Sequence, residues 1–203
     1  MTNDRMTNDR PICMGITGAS GAVYAVRLLD VLVASGRDVH LSISPSGRDV
    51  IRQELGRTID LNNFRANDLL SEDAGRVHYY PYQDFMAPMA SGSFLSAGMV
   101  ICPCSGGTLS AVATGAAGNL IQRAAEVHLK EHRKLILVPR ETPLSLVHLR
   151  NLTLATEAGA IVLPAAPGFY HRPTKVQELV DFIVQRVLDH LGVAIELVPR
   201  WGG

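Results

Sequence analysis

Short, wholly apolar runs recur along the chain, each closing on a turn rich in glycine or hydroxyl groups. Ile12 to Ile16 ends in Thr17-Gly18-Ala19-Ser20-Gly21, and a helical pattern follows from Ala22 to about Ala34, stopped by Ser35-Gly36. Val39 to Ser44 is the next run, with Pro45 in the first turn of a second helix, where a missing N–H costs little. Met99 to Cys102, Lys134 to Val138 and Ile161 to Leu163 are further runs. Runs that do not alternate apolar with polar need cover on both faces, and the helices between them supply it.

The expected fold is therefore α/β: one Rossmann-like, flavodoxin-like domain, a doubly wound parallel sheet with helices on both faces. No linker or long repeat divides it, so residues 12–203 read as one domain behind a leader at 1–11. That leader repeats Met-Thr-Asn-Asp-Arg, lacks the apolar core of a secretion signal, and reads as a disordered leader, a second start site or a cloning scar. From Lys175 to Leu191, Val176, Leu179, Val180, Ile183, Val184, Val187, Leu188 and Leu191 form one stripe, an amphipathic helix docked on the sheet. The first helix differs, because between Ala22 and Ala34 only Tyr24, Arg27 and Asp30 carry polar groups. Apolar nearly all round, it needs burial beyond its sheet side, which points to a homo-oligomer, or else to a loop folded over it. Residues 62–75 read as an irregular or short helical excursion.

Charge and cysteine content exclude several classes. Lys+Arg and Asp+Glu both number 19, leaving no basic excess to neutralise a nucleic-acid backbone, and aromatics are only 5% of the 203 residues. Three cysteines, Cys13, Cys102 and Cys104, suit a reduced cytoplasmic chain better than a disulfide framework. Cys102 and Cys104 are too close for a usual zinc pair, and His128 with His132, four residues apart, has no evident third ligand. The histidines read as solvated helix positions, and no metal is expected. No apolar stretch approaches the ~20 residues of a membrane span.

In an open parallel sheet, ligands lie beyond the carboxyl ends of the strands. Those ends carry Gly18-Ala19-Ser20-Gly21, Ser44-Pro45-Ser46, Cys104 followed by Ser105-Gly106-Gly107-Thr108, Arg140-Glu141 and Gly168-Phe169-Tyr170. The first loop spaces Gly15, Gly18 and Gly21 before a helix, whose first amides offer donors to phosphate. A nicotinamide dinucleotide would need an acid at the end of the second strand, and Ser42-Ile43-Ser44 stands there instead. Ser105 starts a second such helix, as an N-cap or as part of an anion site. Arg123 and Lys130 fall on one helical face about 10 Å apart, with Glu126 between them as a ladder or as part of a site. Arg140-Glu141 ends a nearly all-apolar strand, and a glutamate partly buried there suits acid or base work, an ion pair being the structural alternative. Trp201 is a surface staple or a lid over a flat ligand.

Taken together, GITGASGA at 15–22, ASGS at 90–93, ICPCSGGTLSAVATG at 101–115, NLIQRAAEVHLKE at 119–131, LVPRETPLS at 137–145 and PAAPGFYHRP at 164–173 resemble the flavin prenyltransferase family of the UbiX type. The resemblance implies a metal-independent enzyme that alkylates reduced FMN with dimethylallyl monophosphate, at N5 and then C6. Its product, prenylated FMN, would go to a UbiD-type decarboxylase acting in ubiquinone or aromatic-acid metabolism, and the chain would assemble as a homododecamer with sites shared between subunits. By the same resemblance, Gly18, Ala19, Ser20, Ser44, Ser105, Gly106, Gly107, Thr108 and Arg140 would contact FMN. Lys130, Arg140, Tyr170 and Arg186 would bind the donor phosphate, with Arg123 nearby and Trp201 enclosing the site. Glu141 would protonate the leaving group, Ser20 would manage the flavin proton, and Lys130 and Tyr170 would assist catalysis. Phe85 stands where some relatives carry Trp, and a role for Glu54 rests on a poorly matching stretch. The rivals are a flavin-dependent cysteine decarboxylase of the same superfamily, expected to show PASANT at 103–108, and a non-catalytic FMN carrier.

Overall fold

A computed structural model of the chain describes residues 10–70, 74–200 and 202. Trp201 and most of the leader lie outside the described residues. Six strands, β1 (Ile12–Ile16), β2 (Val39–Ile43), β3 (Val77–Tyr79), β4 (Gly98–Cys104), β5 (Leu135–Pro139) and β6 (Ile161–Val162), form one sheet in the order β3-β2-β1-β4-β5-β6. All pairs are parallel, with Ile12 beside Val39 on one flank and Gly98 on the other. The helices are α1 (Ala22–Ala34), α2 (Pro45–Leu55), α3 (Gly106–Thr114), α4 (Leu120–Lys130), α5 (Leu146–Glu157) and α6 (Val176–Leu191).

Strand alternation divides the core in two. Ile12, Met14, Ile16, Val100 and Cys102 face a layer made by α1, α2 and α6. Cys13, Met99, Ile101 and Cys104 face the opposite layer, made by α3, α4 and α5. The chain winds outward from β1 through β2 to β3, then crosses back to β4 on the other side of β1. At that reversal the connections leave in opposite directions, so a crevice opens beyond the carboxyl ends of β1 and β4.

Two expectations change in detail, and that for residues 62–75 is met. The edge strand β3 has no apolar run of its own: Val-His-Tyr, half-buried and paired only with β2, lies below the length that pattern reading detects. Residues 62–75 contain short 3-10 turns at Ala66–Asp68 and Ala74–Arg76, with Leu69 and Leu70 buried behind them. The apolar first helix is covered by its own chain: eight residues between Ala22 and Val33 are buried against β4, α2 and α6. Arg27 Nε, 2.7 Å from Asp181 Oδ1, ties α1 to α6 at the layer's margin. The argument for oligomerisation from α1 therefore fails. Exposed apolar side chains lie elsewhere, at Leu146, Val147, Leu149 and Leu154 on α5.

The three cysteines are free and buried. Burial pushes the Cys13 and Cys104 thiols up to about 12 and Cys102 higher still, so they behave as small apolar fillers, not thiolates. No helix among the described residues is long and apolar enough to cross a membrane.

Truncating Leu29, fully buried in α1, to alanine is expected to cost about 3 kcal/mol in urea unfolding. Light scattering should show the subunit number unchanged; an altered assembly without lost stability would return α1 to an interface.

Candidate active site

The crevice is built around Thr17, which closes β1. Its hydroxyl donates to the Pro103 carbonyl at 2.7 Å and accepts from the Ser105 amide at 2.8 Å, pinning the first loop to the end of β4. Pattern reading passed over Thr17, because a buried threonine is a signal only once its partner strand is known. On the other flank, a side chain at Gly18 would place its Cβ 2.4 Å from Ser46 Cβ, so only glycine allows the loop to press on the start of α2. Ser44 caps that helix, accepting from the Gly47 amide at 3.0 Å, and ends the turn rather than the strand. Ser105 caps α3 in the same way, accepting from the Thr108 amide at 3.3 Å and donating to the Thr108 hydroxyl.

The N-cap reading of Ser105 holds, and the Gly106 and Gly107 amides sit in a first turn, which has no partners within its helix. The first loop departs from expectation. Gly21, at φ 115°, turns the chain into α1, but its amide and that of Ala22 are held by Glu54, whose carboxylate accepts at 2.8 to 3.1 Å. A phosphate would find these two amides already taken, because an acid from α2 occupies them. Desolvation pushes the Glu54 carboxyl up, but hydrogen bonds from Ser20 and the two amides, with the charge of Arg140, hold it below the ordinary range. Arg140 comes to the same place, its Nε donating to the Ser20 carbonyl at 3.1 Å. Ser20, Glu54 and Arg140 therefore meet at the mouth of the crevice.

The remaining candidates separate. Glu141 is exposed within the chain, so the expected partial burial is not met by the chain's own residues; its carboxylate accepts from the Thr142 amide at 3.2 Å. It borders a small apolar cavity of about 60 Å³ with Gly106, Leu109, Leu144 and His148. Tyr170 and Arg186 line a larger cavity of about 280 Å³ in the α1/α6 layer. Arg123 and Lys130 lie on α4, in the opposite layer. Arg123 pairs with Glu126 at 2.8 Å and donates to the Ala90 carbonyl at 3.2 Å, while Lys130 pairs with Glu131, so the three-residue ladder is only half formed. One chain therefore does not assemble Lys130 with Tyr170 and Arg186.

His128 is not a solvated helix position. It is buried, its Nδ1 donating to the Ala124 carbonyl and its Nε2 accepting from Ser96, both at 2.7 Å, and burial lowers its pKa to about 4. His132 follows the helix at φ 53°, off its face. Phe85 is half-exposed on the loop before ASGS.

The Flavoprotein family model matches residues 1–188. Flavin prenyltransferase UbiX of Pseudomonas aeruginosa is 49% identical over 201 residues, covering 97% of this chain and 96% of that protein. The chain belongs to the flavin prenyltransferase family. Among solved structures of UbiX type, AnUbiX (PadA1) in complex with FMN and dimethylallyl pyrophosphate superposes with a TM-score of 0.83 at 36% identity, covering 96% of this chain and 98% of that one. A dodecameric FMN-dependent UbiX-like decarboxylase from Escherichia coli O157:H7 gives 0.84 at 37% identity, covering 95% and 100%. In this flavin prenyltransferase the crevice between the loops after β1 and β4 suits a flavin: glycines allow close approach, hydroxyls and first-turn amides offer donors, and apolar strand ends form its floor.

Replacing Glu54 with alanine should lower stability by about 1 kcal/mol, the ordinary value of an N-cap. Because the folded carboxyl sits below its unfolded value, its contribution is fully present above that value and is lost as pH falls through the folded one. Denaturation at pH 7 should therefore separate the variant from the parent, and the gap should narrow below about pH 4.5. A gap unchanged at low pH would remove the carboxylate as its cause.

Proposed function

We propose that this chain transfers the dimethylallyl group of dimethylallyl monophosphate to N5 and then C6 of reduced FMN, making prenylated FMN for a UbiD-type decarboxylase. What carries the reading is the pairing of two features: a crevice between the loops after β1 and β4 with Arg140 bonded to the first of them, and a cavity walled by Tyr170 and Arg186. A non-catalytic carrier has no use for the second. The cysteine decarboxylase reading is disfavoured by Pro103-Cys104-Ser105-Gly106-Gly107-Thr108 in place of PASANT. The catalytic unit is the domain 12–203, behind the leader. Three free thiols suit a reducing compartment, and we place the enzyme in the cytoplasm.

FMN fits the chain as Gly18, Ala19, Ser20, Ser44, Ser105 to Thr108 and Arg140 around the crevice, and when bound and reduced it supplies the nucleophilic ring positions. The chain's own residues do the rest. Monophosphate leaves poorly, so Arg140, Arg186, Tyr170 and Lys130 offset the charge that grows on it as the carbon–oxygen bond breaks, and one such preorganised donor is worth about 10²–10³ in rate. Glu141 delivers the proton to that leaving group. Ser20, hydrogen-bonded to Glu54, holds the proton at flavin N5, with Glu54 fixing the hydroxyl's direction. Apolar walls keep water from the cation-like allylic carbon. No metal takes part in this scheme, since guanidinium and ammonium groups supply the positive charge.

Lys130 and Arg123 reach this site from a neighbouring copy. Within one chain, Lys130 lies across the sheet from Tyr170, whereas the exposed α5 face offers an apolar surface for assembly. We place the chain in a homododecamer.

Anaerobic incubation with reduced FMN and dimethylallyl monophosphate should add one dimethylallyl unit to the flavin by mass spectrometry. Unmodified flavin would favour the carrier, and carbon dioxide released from a cysteine substrate would favour the decarboxylase. Glu141→Gln should leave FMN affinity intact while slowing prenylation; equal loss of both removes Glu141 from the catalytic set. Lys130→Ala and Tyr170→Phe should each be nearly inactive, yet regain about a quarter of the parental rate when their subunits are mixed at random in one oligomer. No recovery would mean that each chain completes its own site.

A further inference from the structure

Asp189, one turn beyond Gln185 and Arg186 on α6, receives four hydrogen bonds. Arg186 Nη1 donates at 3.3 Å, Gln185 Nε2 at 2.9 Å, and Arg200 donates through both terminal nitrogens at 2.9 and 3.4 Å. Gln185 is buried, and it also donates to the Ile195 carbonyl at 2.9 Å and accepts from the Leu197 amide at 2.7 Å. Residues 193–200 are thereby fastened along α6 as a strap. Between strap and helix lies the 280 Å³ cavity, with Tyr170 and Arg186 on one wall and Arg200 on the other.

Two guanidinium groups and one carboxylate leave this cavity with a surplus positive charge. Arginine carries five donors in a rigid fork, so Arg200 keeps free N–H groups after meeting Asp189 with two. Asp189 has no such reserve. Its carboxylate is saturated, sits with a side chain only 21% exposed, and competes with any entering anion for Arg186. An exposed ion pair on its own contributes little, but a pair lining an anion cavity decides where its cation points.

We propose that Arg200 is a further guanidinium for the donor's phosphate, beside Arg186 in this cavity, and that Asp189 is a positioning residue: it sets Arg200 in place and holds Arg186 until the anion enters. The proposal rests on the reading of Tyr170 and Arg186 as the phosphate site. It requires Asp189 to act through charge on Arg186 and through an oxygen on Arg200, and these can be separated. Asp189→Asn keeps the oxygen and loses the competing charge, whereas Asp189→Ala loses both.

The test is steady-state prenylation by the FMN-loaded oligomer with dimethylallyl monophosphate, with FMN affinity and melting temperature recorded for every variant. Arg200→Gln should raise the donor KM about tenfold, the loss of one charge-assisted contact, with FMN affinity unchanged. Asp189→Asn should lower that KM about threefold and make inorganic phosphate a correspondingly better inhibitor, while Asp189→Ala should raise it. If Asp189→Asn and Asp189→Ala both raise KM, Asp189 only staples the strap and the proposal is overturned, as it is if Arg200→Gln leaves KM unchanged. Arg186→Gln is the control. No rise in donor KM there means the phosphate-site reading itself fails, whereas a rise there with none in Arg200→Gln sinks only the role of Arg200.

Discussion

The Thr17 hydroxyl, buried between the ends of β1 and β4, is the contact on which the site's shape depends. Parallel neighbours at a winding reversal send their loops in opposite directions, and beyond the backbone bond from the Thr17 amide to the Pro103 carbonyl at 3.3 Å something must hold those loops in register. Thr17 does so by taking one acceptor and one donor from the far strand. Burying a hydroxyl is tolerable only when both its capacities are met, and a valine there would leave the Ser105 amide wanting, while the Pro103 carbonyl would keep only the Thr17 amide at 3.3 Å. The capped start of α3 and the entry to α1 are both fixed relative to this one group.

The fold was legible because its strands are buried on both sides. Such strands read as unbroken apolar runs, and Ile12–Ile16 and Ala22–Ala34 were found to the residue. β3 escaped because an edge strand of three residues, two half-buried around an exposed His78, leaves no run to read. The burial of α1 was legible as a need, but not its satisfaction. Periodicity shows that a helix must be covered on several sides, not whether its own α6 or another chain provides the cover.

The site was legible as a set of loops, and less so as a set of contacts. Ser20, Ser44, Ser105 and Arg140 stand at strand ends where a one-dimensional reading can find them. Glu54 lies in the last turn of α2 among polar neighbours and Thr17 at the end of β1, so each looks ordinary until the partner 33 or 86 residues away is seen. Lys130 and Tyr170 show a different limit of a one-dimensional reading. Within one chain they stand on opposite faces of the sheet, a separation that residue types alone do not reveal.

The acid on the first amides of α1 also settles what such a crevice rejects. Folds of this shape often seat the diphosphate of a nicotinamide coenzyme on that helix start, drawn by its partial positive charge. Here the seat is taken by a permanent tenant of the same sign, so an incoming diphosphate meets repulsion where it would otherwise be welcomed.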